Sequence, residues 1–388
     1  MKTCIHFGTC GGCDFQNIEY SLEISKKKEY LQKTFPFLSP IEFVPSPSSE
    51  FYRNKIQMPF SSRAIQGKRV LTLGLHNLEE TFIVDQQECY IQKNELTVVA
   101  QQVKKVLRKF PYKAYQPQKR TGAWRHLVAR ISDASKEIMI ILVVNHPLHP
   151  KEIGIISKKI HEHGNGELKK LGTGYKITGI LMNINSSTGK MVLSDEFETI
   201  WGKNYITEKL NGFSFQIPAG GFFQTNREIT ELIYAEIQTR VEKNAVVYDL
   251  FSGLGTIGTI LSKKASSVLS IEENKYSHQF AFQTAKKFQK SGNQKFIQAR
   301  VEEFLENREF EPNAVFIVDP PRIGLSQKTI QSILEAQPSK ILYLSCDIDT
   351  LQRDAKLFSQ KYKMVFAKGY DMFPRTSHFE ILTEFVLK

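Results

Sequence analysis

The sequence of 388 residues lacks several features that define whole classes of protein. It contains no run of about 18 consecutive apolar residues, the length of a membrane-spanning helix, so we expect no membrane partner. Its start, MKTCIHFGTCGGC, lacks the apolar stretch of a secretory signal, which predicts a cytoplasmic protein. Because 41% of the residues are hydrophobic and 24% are charged, the chain can bury a sizeable core, which excludes disordered and fibrous proteins.

Cysteine is also scarce, and the five cysteines are Cys4, Cys10, Cys13, Cys89 and Cys346. An odd number in a chain without a secretory signal argues against a disulfide framework. Three of them lie close together with the spacing C-x5-C-x2-C, whereas one lies alone near the C-terminus. Four thiolates can hold zinc or an iron–sulfur cluster. Three close cysteines with a remote Cys89 favour a cubane cluster, with zinc and free thiols as the alternatives.

Acidic residues are outnumbered by basic ones. The chain has 52 Lys and Arg against 40 Asp and Glu, a net charge of +12. The window 101–150 alone has ten basic and two acidic residues, a local excess that is typical of a surface for a polyanion. Tyr112, Tyr115 and Trp124 lie within this window, which suits phosphate binding combined with base stacking. The alternatives are a solvated basic face and, for Trp124 above all, core packing.

The pattern of apolar residues changes along the chain. Residues 50–200 are predicted to be mostly β with helices between the strands. From Asn244 onward, short apolar runs alternate with helical stretches, which predicts βαβ units and a parallel sheet. The apolar runs are AVVYDL (245–250), VLSIE (268–272), KFIQA (295–299), AVFIVD (314–319), KILYLS (340–345), MVFAKG (364–369) and ILTEFVL (381–387). We place a domain boundary near residue 205.

The first of these runs leads into a glycine-rich loop, DLFSGLGTIG (249–258). Its GxGxxG is made by Gly253, Gly255 and Gly258. Glycines permit a tight turn and close backbone approach to a ligand. Glu272 ends the next strand, where an acid can bind ribose hydroxyls. Asp249 lies four residues before Gly253, and this D-x-x-x-G-x-G resembles motif I of S-adenosylmethionine-dependent methyltransferases, which we favour over an NAD-dependent oxidoreductase.

Several chemically active residues end, or directly follow, predicted parallel strands: Asp249, Glu272, Asp319 and Cys346. In an open parallel sheet, ligands bind beyond the carboxyl ends of the strands. The last strand is commonly antiparallel in methyltransferase sheets, and Glu380 directly precedes it. This topology predicts one cleft that contains a thiol and several carboxylates.

Two of these residues lie in distinctive local sequences. Asp319 begins DPPR, whose prolines stiffen the loop and whose Arg322 suits a phosphate, with a structural loop as the alternative. Cys346 lies in LSCDIDTL, between a strand and a helical stretch. We expect the helix dipole to lower the pKa of this thiol, which favours a nucleophile over a small buried residue.

Together these motifs resemble the RNA uracil-C5 methyltransferases, which make 5-methyluridine, and the resemblance covers most of the chain. The motifs are Phe222 to Asn226 (FFQTN), DLFSGLGTIG, DPPR, SCD at 345–347, Glu380 within PRTSHFE, and the N-terminal cysteines. The resemblance implies an α/β, Rossmann-like methyltransferase domain with a mostly parallel seven-stranded sheet, after an N-terminal α+β RNA-binding domain. We therefore divide the chain into a cysteine-containing region (1–90), a central RNA-binding region (91–205) and the catalytic domain (206–388).

The resemblance also assigns roles to residues. Uracil C5 is a weak nucleophile until a thiolate adds at C6, so Cys346 is expected to attack C6 and Glu380 to remove the C5 proton. Expected contacts to S-adenosylmethionine are Gln224, Phe251, Gly253, Gly255, Thr256, Glu272 and Asp319. Expected ligands of a 4Fe-4S cluster are Cys4, Cys10, Cys13 and Cys89. Thr256 and Arg300 depart from residues that are frequent in the family, and His378 is an alternative base.

The cysteines also bear on the RNA target. Many members of the family begin with a small β-barrel module, for which Cys4 leaves no room in this sequence. A cluster without that module resembles the branch that acts on a hairpin-loop uridine of 23S ribosomal RNA, which we therefore expect as the partner of a monomeric enzyme. The alternatives are the T-loop uridine of transfer RNA, methylation at a base nitrogen, and a non-catalytic iron–sulfur protein that binds RNA.

Overall fold

A computed structural model describes residues 4–65, 67–189, 191–288, 292–306 and 308–388. The chain forms two compact units. The first unit comprises Met1–Asn17, Glu50–Glu208 and Ile217–Gly220. The second unit comprises Ile18–Ser49, Lys209–Gln216 and Gly221–Lys388.

The helices are α1 (Tyr20–Thr34), α2 (Asn94–Leu107), α3 (Pro150–Leu171), α4 (Arg227–Arg240), α5 (Thr256–Leu261), α6 (Lys275–Phe288), α7 (Val301–Leu305), α8 (Gln327–Ala336) and α9 (Ile348–Phe358). The strands of the first half are β1 (Glu42–Val44), β2 (Lys55–Ile65), β3 (Lys68–His76), β4 (Ile83–Asp85), β5 (Trp124–Ile131), β6 (Glu137–Val144), β7 (Lys176–Ile184) and β8 (Phe197–Gly202). The strands that follow are β9 (Tyr205–Leu210), β10 (Phe213–Pro218), β11 (Val246–Leu250), β12 (Ser267–Glu272), β13 (Gln294–Gln298), β14 (Ala314–Val318), β15 (Lys340–Ser345), β16 (Tyr362–Tyr370) and β17 (Glu380–Leu387). In the described part of the chain, no helix is both long enough and apolar enough to cross a membrane.

The second unit is built on a mixed sheet. Among the described residues, this sheet has eight strands in the order β1-β16-β17-β15-β14-β11-β12-β13. Strands β11 to β15 pair in parallel, and β17 runs antiparallel to both β15 and β16. Every residue of β14 is buried, as expected for a parallel strand that is covered on both faces. The seven apolar runs of the sequence are the strands β11 to β17, so the prediction of a mostly parallel sheet with an antiparallel last strand is confirmed.

The eighth strand comes from a segment that the sequence did not assign to this unit. β1 pairs in parallel with β16, so that Glu42 lies opposite Lys368. Nearby, Leu31 of α1 is fully buried in the same hydrophobic core as Phe316 of β14. Residues 18–49 therefore join the second unit, whereas the sequence boundaries put them with the cysteines. Backbone pairing and core packing over a long sequence separation produce this arrangement, and neither leaves a local signal.

The first unit contains a second sheet and two of the longer helices. Its strand order over the described residues is β4-β3-β2-β5-β6-β7-β8, with a parallel β6–β7 pair and antiparallel neighbours elsewhere. All residues of β6 are buried. Helices α2 and α3 contribute Val103 and Ile160 to the core beneath the sheet. β5 and β6 form an antiparallel hairpin, α3 begins at Pro150, and α2 lies between β4 and β5 in the chain.

Candidate active site

Five predicted residues lie at one edge of the second unit's sheet. The carboxyl ends of the parallel strands β11, β12, β14 and β15 meet at that edge, and the antiparallel β17 begins there. The residues at these ends are Asp249, Glu272, Asp319, Cys346 and Glu380. Ser345 pairs with Ile381. Cys346 directly follows Ser345 and Glu380 directly precedes Ile381, so both residues adjoin the last pair at the same end of these antiparallel strands. The predicted gathering of a thiol and carboxylates at one edge is therefore present.

The glycine loop is held by two acids of the neighbouring strands. Asp249 is buried, and its Oδ2 accepts hydrogen bonds from the Gly258 N–H (2.9 Å) and the Ser270 hydroxyl (3.3 Å). Glu272 accepts a bond from the Gly253 N–H at 2.8 Å through Oε2. A Cβ at Gly258 would lie 2.9 Å from the Asp249 carboxylate, so only glycine allows this approach. Asp249 therefore fixes the conformation of the glycine loop through buried hydrogen bonds.

Open space adjoins this loop on its other side. Gly253 has a φ of +55°, and a Cβ added there would meet no heavy atom within 4 Å. Phe251 also has a positive φ, +61°, which is unusual for a residue with a side chain. The loop thus presents backbone atoms and the Glu272 carboxylate to a space that a ligand can enter.

A tyrosine that sequence analysis missed lies behind the loop. The Tyr234 hydroxyl is 3.0 Å from the Thr256 hydroxyl, and both side chains are buried. Burial and the nearby Asp319 raise the pKa of Tyr234. Thr256, which departs from the family pattern, is therefore part of a buried hydrogen bond with Tyr234. The only sequence signal for Tyr234 was its place on the apolar face of an amphipathic helix, which does not separate it from ordinary core residues.

The motif FFQTN lies directly before α4. Asn226 caps this helix by accepting a hydrogen bond from the Ile229 N–H at 3.5 Å. Gln224 and Phe223 are buried, whereas Phe222 is 60% exposed. The cap fixes the segment that carries Gln224 and leaves one large aromatic ring on the surface.

Cys346 lies in an electrostatic environment set by acids. Its side chain is half-buried, and burial followed by the charge of Glu380 raises the pKa of the thiol to about 12. Arg322 opposes this shift, and Asp319 adds to it. The helix α9 that follows begins at an acidic cap, because Asp347 accepts a hydrogen bond from the Thr350 N–H. The expectation that the helix dipole would lower the pKa of Cys346 is therefore wrong, since desolvation and carboxylates outweigh the dipole.

The two acids that contribute to the raised pKa of the thiol, Asp319 and Glu380, have raised pKa values themselves. Burial, and then the charge of Asp249, raises the pKa of Asp319 to about 7. Burial, and then the charge of Asp319, raises the pKa of Glu380 well above its ordinary value, with Arg322 opposing the shift. Within the described residues, Glu380 Oε2 is buried without a hydrogen-bond partner. A buried carboxylate whose pKa is raised is a stronger base than an exposed one, which suits removal of a proton.

The alternative base His378 lies in a different environment. Its side chain is exposed, whereas Glu380 is 3% exposed. The His378 N–H donates to the Thr376 hydroxyl at 3.3 Å. The geometry therefore favours Glu380 over His378 as a base within the site. Arg300, the other departure from the family pattern, is exposed and lies about 4 Å from both Glu273 and Glu302.

The four N-terminal-region cysteines line one small pocket of the first unit. Burial raises the pKa of Cys13 to about 12, and the neighbouring Cys89 adds to the shift. Burial also raises the pKa of Cys10, with a further contribution from Cys4. A Cβ at Gly12 would lie 3.4 Å from Cys10 Sγ, so the backbone wraps closely here. Among the described residues, no three His, Cys, Asp or Glu side chains are arranged so that they could hold a metal ion.

The aromatic residues of the basic window make contacts within the first unit. The Trp124 ring is fully buried, so the core packing that was expected for it above all is confirmed. The Tyr112 hydroxyl donates to Glu152, and Arg125 lies 4.6 Å above the Tyr115 ring. The tertiary fold uses these rings because large aromatic side chains supply much of the buried apolar area.

The basic side chains of the same window divide into two groups. The buried ones are Lys104, Arg125 and Arg130. The exposed ones are Lys105, Arg108, Lys109, Lys113, Lys119, Arg120 and Lys136. Most of the charge excess thus lies on the surface, where it can attract a polyanion.

Comparison with known proteins agrees with this geometry. The sequence family described as tRNA (Uracil-5-)-methyltransferase matches residues 155–385, more than half of the chain. The chain belongs to the RNA uracil-5-methyltransferase family. The matched range contains Cys346, Glu380 and the glycine loop, and it excludes the four N-terminal-region cysteines. Members of this family transfer a methyl group from S-adenosylmethionine, so this RNA uracil-5-methyltransferase is an S-adenosylmethionine-dependent enzyme.

The similarity to two relatives and to one solved structure covers nearly the whole chain. An uncharacterized RNA methyltransferase of Leptospira interrogans is 35% identical over 387 residues, which is 99% of this chain and 98% of the relative. One from Staphylococcus aureus is 31% identical over 396 residues, which is 99% of this chain and 84% of the relative. The crystal structure of Pyrococcus abyssi tRNA (uracil-54, C5)-methyltransferase, in complex with S-adenosyl-L-homocysteine, is similar with a TM-score of 0.76 and 23% identity. That likeness covers 97% of this chain and 86% of the other, and it shows that the two share a fold.

The charge of Arg322 should control the reactivity of the Cys346 thiol. We expect Arg322→Met to raise the thiol pKa further, so that iodoacetamide alkylates Cys346 severalfold more slowly at a fixed pH near 8. The exposed Lys328, six residues further along the chain, is the matched control, and Lys328→Met should leave the rate unchanged. Mass spectrometry of the peptide that contains Cys346 measures the rate. Equal rates for the two variants would contradict the assigned electrostatics.

Proposed function

We propose that this enzyme methylates C5 of a uridine in RNA, with Cys346 as the nucleophile and Glu380 as the base. The observation that carries the proposal is the position of these two residues, which adjoin the pair of Ser345 and Ile381 at the same end of β15 and β17. Both also lie beside Asp319, whose charge contributes to their raised pKa values. A thiol and a buried carboxyl group side by side match the two chemical needs of methylation at C5.

The open side of the glycine loop fits the methyl donor. Gly253 leaves room for close approach, and the Glu272 carboxylate can accept bonds from ribose hydroxyls. Further residues proposed to contact S-adenosylmethionine are Gln224, Phe251, Gly255, Thr256 and Asp319. When bound, S-adenosylmethionine supplies an electrophilic methyl group. Asp319 and Gln224 are alternatively able to bind the polar edge of the base.

The chain's own residues carry out the addition and elimination. As its proton is lost, Cys346 forms an S–C6 bond to the uracil, and electron density moves through the ring to C5. The Asp319 carboxylate is the nearby acceptor for that proton, so the Glu380 carboxylate stays deprotonated for the later step, and Arg322 stabilises the thiolate. After C5 has gained the methyl group, the Glu380 carboxylate removes the C5 proton. The C5=C6 double bond forms again as the S–C6 bond breaks, which returns the thiolate and releases the methylated RNA.

Substitution of Cys346 and of Glu380 in separate variants distinguishes methyl transfer from removal of the C5 proton. RNA that carries tritium at uridine C5 reports proton removal as released tritium, and methyl incorporation reports transfer. We expect Cys346→Ala to abolish both signals. We expect Glu380→Gln to transfer the methyl group but to release tritium roughly 10²- to 10⁴-fold more slowly, the usual contribution of a general base. Methylated RNA should then remain covalently attached to the enzyme in a denaturing gel.

His378→Gln is the control for this experiment, because His378 lies two residues from Glu380 and is exposed. We expect it to keep both signals. Normal tritium release from Glu380→Gln, or loss of release from His378→Gln, would contradict the assignment of the base. Methyl transfer by Cys346→Ala would instead point to methylation at a base nitrogen, which needs no thiol.

For the RNA target we propose a hairpin-loop uridine of 23S ribosomal RNA. The four cysteines support this target, because the resemblance links them to the ribosomal branch of the family. The T-loop uridine of transfer RNA is the second candidate, and the fold shared with the Pyrococcus abyssi transfer RNA enzyme favours it. In either case the reacting base has to leave its stack so that C6 is accessible. The exposed basic side chains of the first unit would bind phosphates.

Mapping 5-methyluridine in cells with and without this gene decides between the two targets. We expect one 5-methyluridine of 23S ribosomal RNA to disappear in the deletion strain and to return when the wild-type gene is restored. The gene for Cys346→Ala should fail to restore it, which is the matched control. Loss of 5-methyluridine from transfer RNA alone would contradict the ribosomal target and support the second candidate.

We further propose that Cys4, Cys10, Cys13 and Cys89 hold a 4Fe-4S cluster. The side chains fit in part, since all four line one pocket, where neighbouring cysteines add to the burial that raises the pKa values of Cys10, Cys13 and Cys89. Cationic iron would relieve that repulsion between thiolates, and the side chains would have to turn toward it to complete the coordination. Because methyl transfer needs no redox step, we assign the cluster to structure or RNA binding.

Metal analysis tests the cluster directly. Purified without oxygen, the protein should be brown and contain about four iron and four sulfide per chain, the composition of such a cluster. Cys89→Ser should lose the iron, whereas Cys346→Ala, in the other unit, should keep it. One zinc per chain without iron, or no metal at all, would refute the cluster.

A further inference from the structure

A buried network of charged side chains in the second unit joins α1 to the segment that precedes Glu380. Lys27 Nζ lies 2.6 Å from Asp371 Oδ1 and 2.8 Å from Glu23 Oε1. It also donates to the Phe373 carbonyl at 3.3 Å. The three charged side chains are at most 2% exposed. Lys27 is therefore fully enclosed and bonded to three groups, two of which lie in the segment after β16.

The same network holds the backbone of Arg375. Its N–H donates to Glu23 Oε1 at 2.8 Å, and its guanidinium Nη1 lies 3.7 Å from Glu23 Oε2. Nη1 also donates to the Ile18 carbonyl at 3.1 Å. The φ of Arg375 is +69°, a conformation that residues with a side chain rarely adopt. These contacts hold the backbone in that conformation, since an unsupported segment would relax from it.

Tyr20 also belongs to this network, because its hydroxyl contacts Asp371. Its hydroxyl donates to Asp371 Oδ2 at 2.6 Å and accepts a hydrogen bond from the Ser46 N–H at 2.7 Å. The network thus has two positive and two negative side chains, all nearly or fully buried: Glu23, Lys27, Asp371 and Arg375. Removing one partner would leave an uncompensated buried charge, so the four groups and Tyr20 act as a unit.

The network lies where it can determine the position of the base. Asp371 directly follows β16, whose last residue, Tyr370, pairs with Glu380. Residues 371–379 connect β16 to β17, and the network bonds Asp371, Phe373 and Arg375 in the first half of that connection. A shift of this segment would move the start of β17, at which the Glu380 carboxyl group lies.

We propose that Tyr20, Lys27 and Asp371 are positioning residues, which set the place of the Glu380 carboxyl group for removal of the C5 proton. This inference rests on the proposed function. None of the three touches the reacting atoms, so their effect should fall on the step that Glu380 performs. A merely structural role predicts a different result, namely lower stability with both steps slowed alike or with neither changed.

Tyr20→Phe is the sharpest test, because it removes one hydroxyl and keeps the ring. With the tritiated RNA, we expect tritium release to slow roughly tenfold or more, the scale expected when a reacting group is misplaced by a fraction of an ångström to 1 Å. Single-turnover methyl transfer should stay within about twofold of the wild type, since Cys346 follows a different strand, β15. Covalently bound methylated RNA should accumulate, and Lys27→Met should show the same pattern more strongly if it folds.

The matched control, Tyr362, is the first residue of β16, at the end of that strand away from Glu380. Tyr362 is buried and donates its hydroxyl to the Pro338 carbonyl at 2.8 Å, far from Glu380 in the register of β16 and β17. Tyr362→Phe should lower thermal stability to a similar extent and leave the ratio of the two steps unchanged.

The outcomes separate this inference from the proposed function. If Glu380→Gln blocks tritium release while Tyr20→Phe behaves like Tyr362→Phe, the positioning role is overturned and the proposed chemistry stands. If Glu380→Gln releases tritium at the normal rate, the assignment of the base fails, and the positioning role fails with it. Selective slowing in Tyr20→Phe, together with the block in Glu380→Gln, supports both.

Discussion

The burial of several carboxyl groups beside one thiol is the constraint on which the site depends. Asp249, Asp319 and Glu380 all lie at the same sheet edge, and desolvation is the largest cause of the raised pKa of each. Close packing of acids is unfavourable unless protons or positive charges balance them, and Arg322 is the cation that opposes the shifts of Cys346 and Glu380. Burial raises the pKa values of Asp249 and Asp319 to about 7, so these two groups exchange protons near neutral pH, which suits a reaction that both removes and returns a proton.

Much of this sheet edge could be predicted because its residues end strands or directly follow them in the sequence. The runs that end at Leu250, Val318 and Ser345 are mostly apolar, so their parallel pairing and shared edge follow from general rules of α/β sheets. Asp319 and Cys346 each come directly after such a strand, which makes their meeting a matter of topology. The motifs then identified the chemistry through their resemblance to a family.

Other features left no local trace in the sequence. The sequence left open which aromatic rings of the basic window are enclosed, because the packing of the whole unit decides this, and Trp124 is fully buried. The thiol pKa of Cys346 was misjudged for a similar reason, since the nearby acids come from strands that are distant in sequence. Lys27 resembles any surface lysine of an amphipathic helix until Asp371, 344 residues away, lies beside it.

The central claim is that one sulfur bonds covalently to the target base. A 5-fluorouridine in the RNA prevents removal of a C5 proton, so the bond between enzyme and base should persist after methyl transfer. The most direct measurement is mass spectrometry of the RNA–protein adduct formed with S-adenosylmethionine, read at the level of the modified peptide. We expect one methylated nucleotide to be attached to Cys346. Attachment to another residue, or methylation of RNA without any adduct, would contradict it.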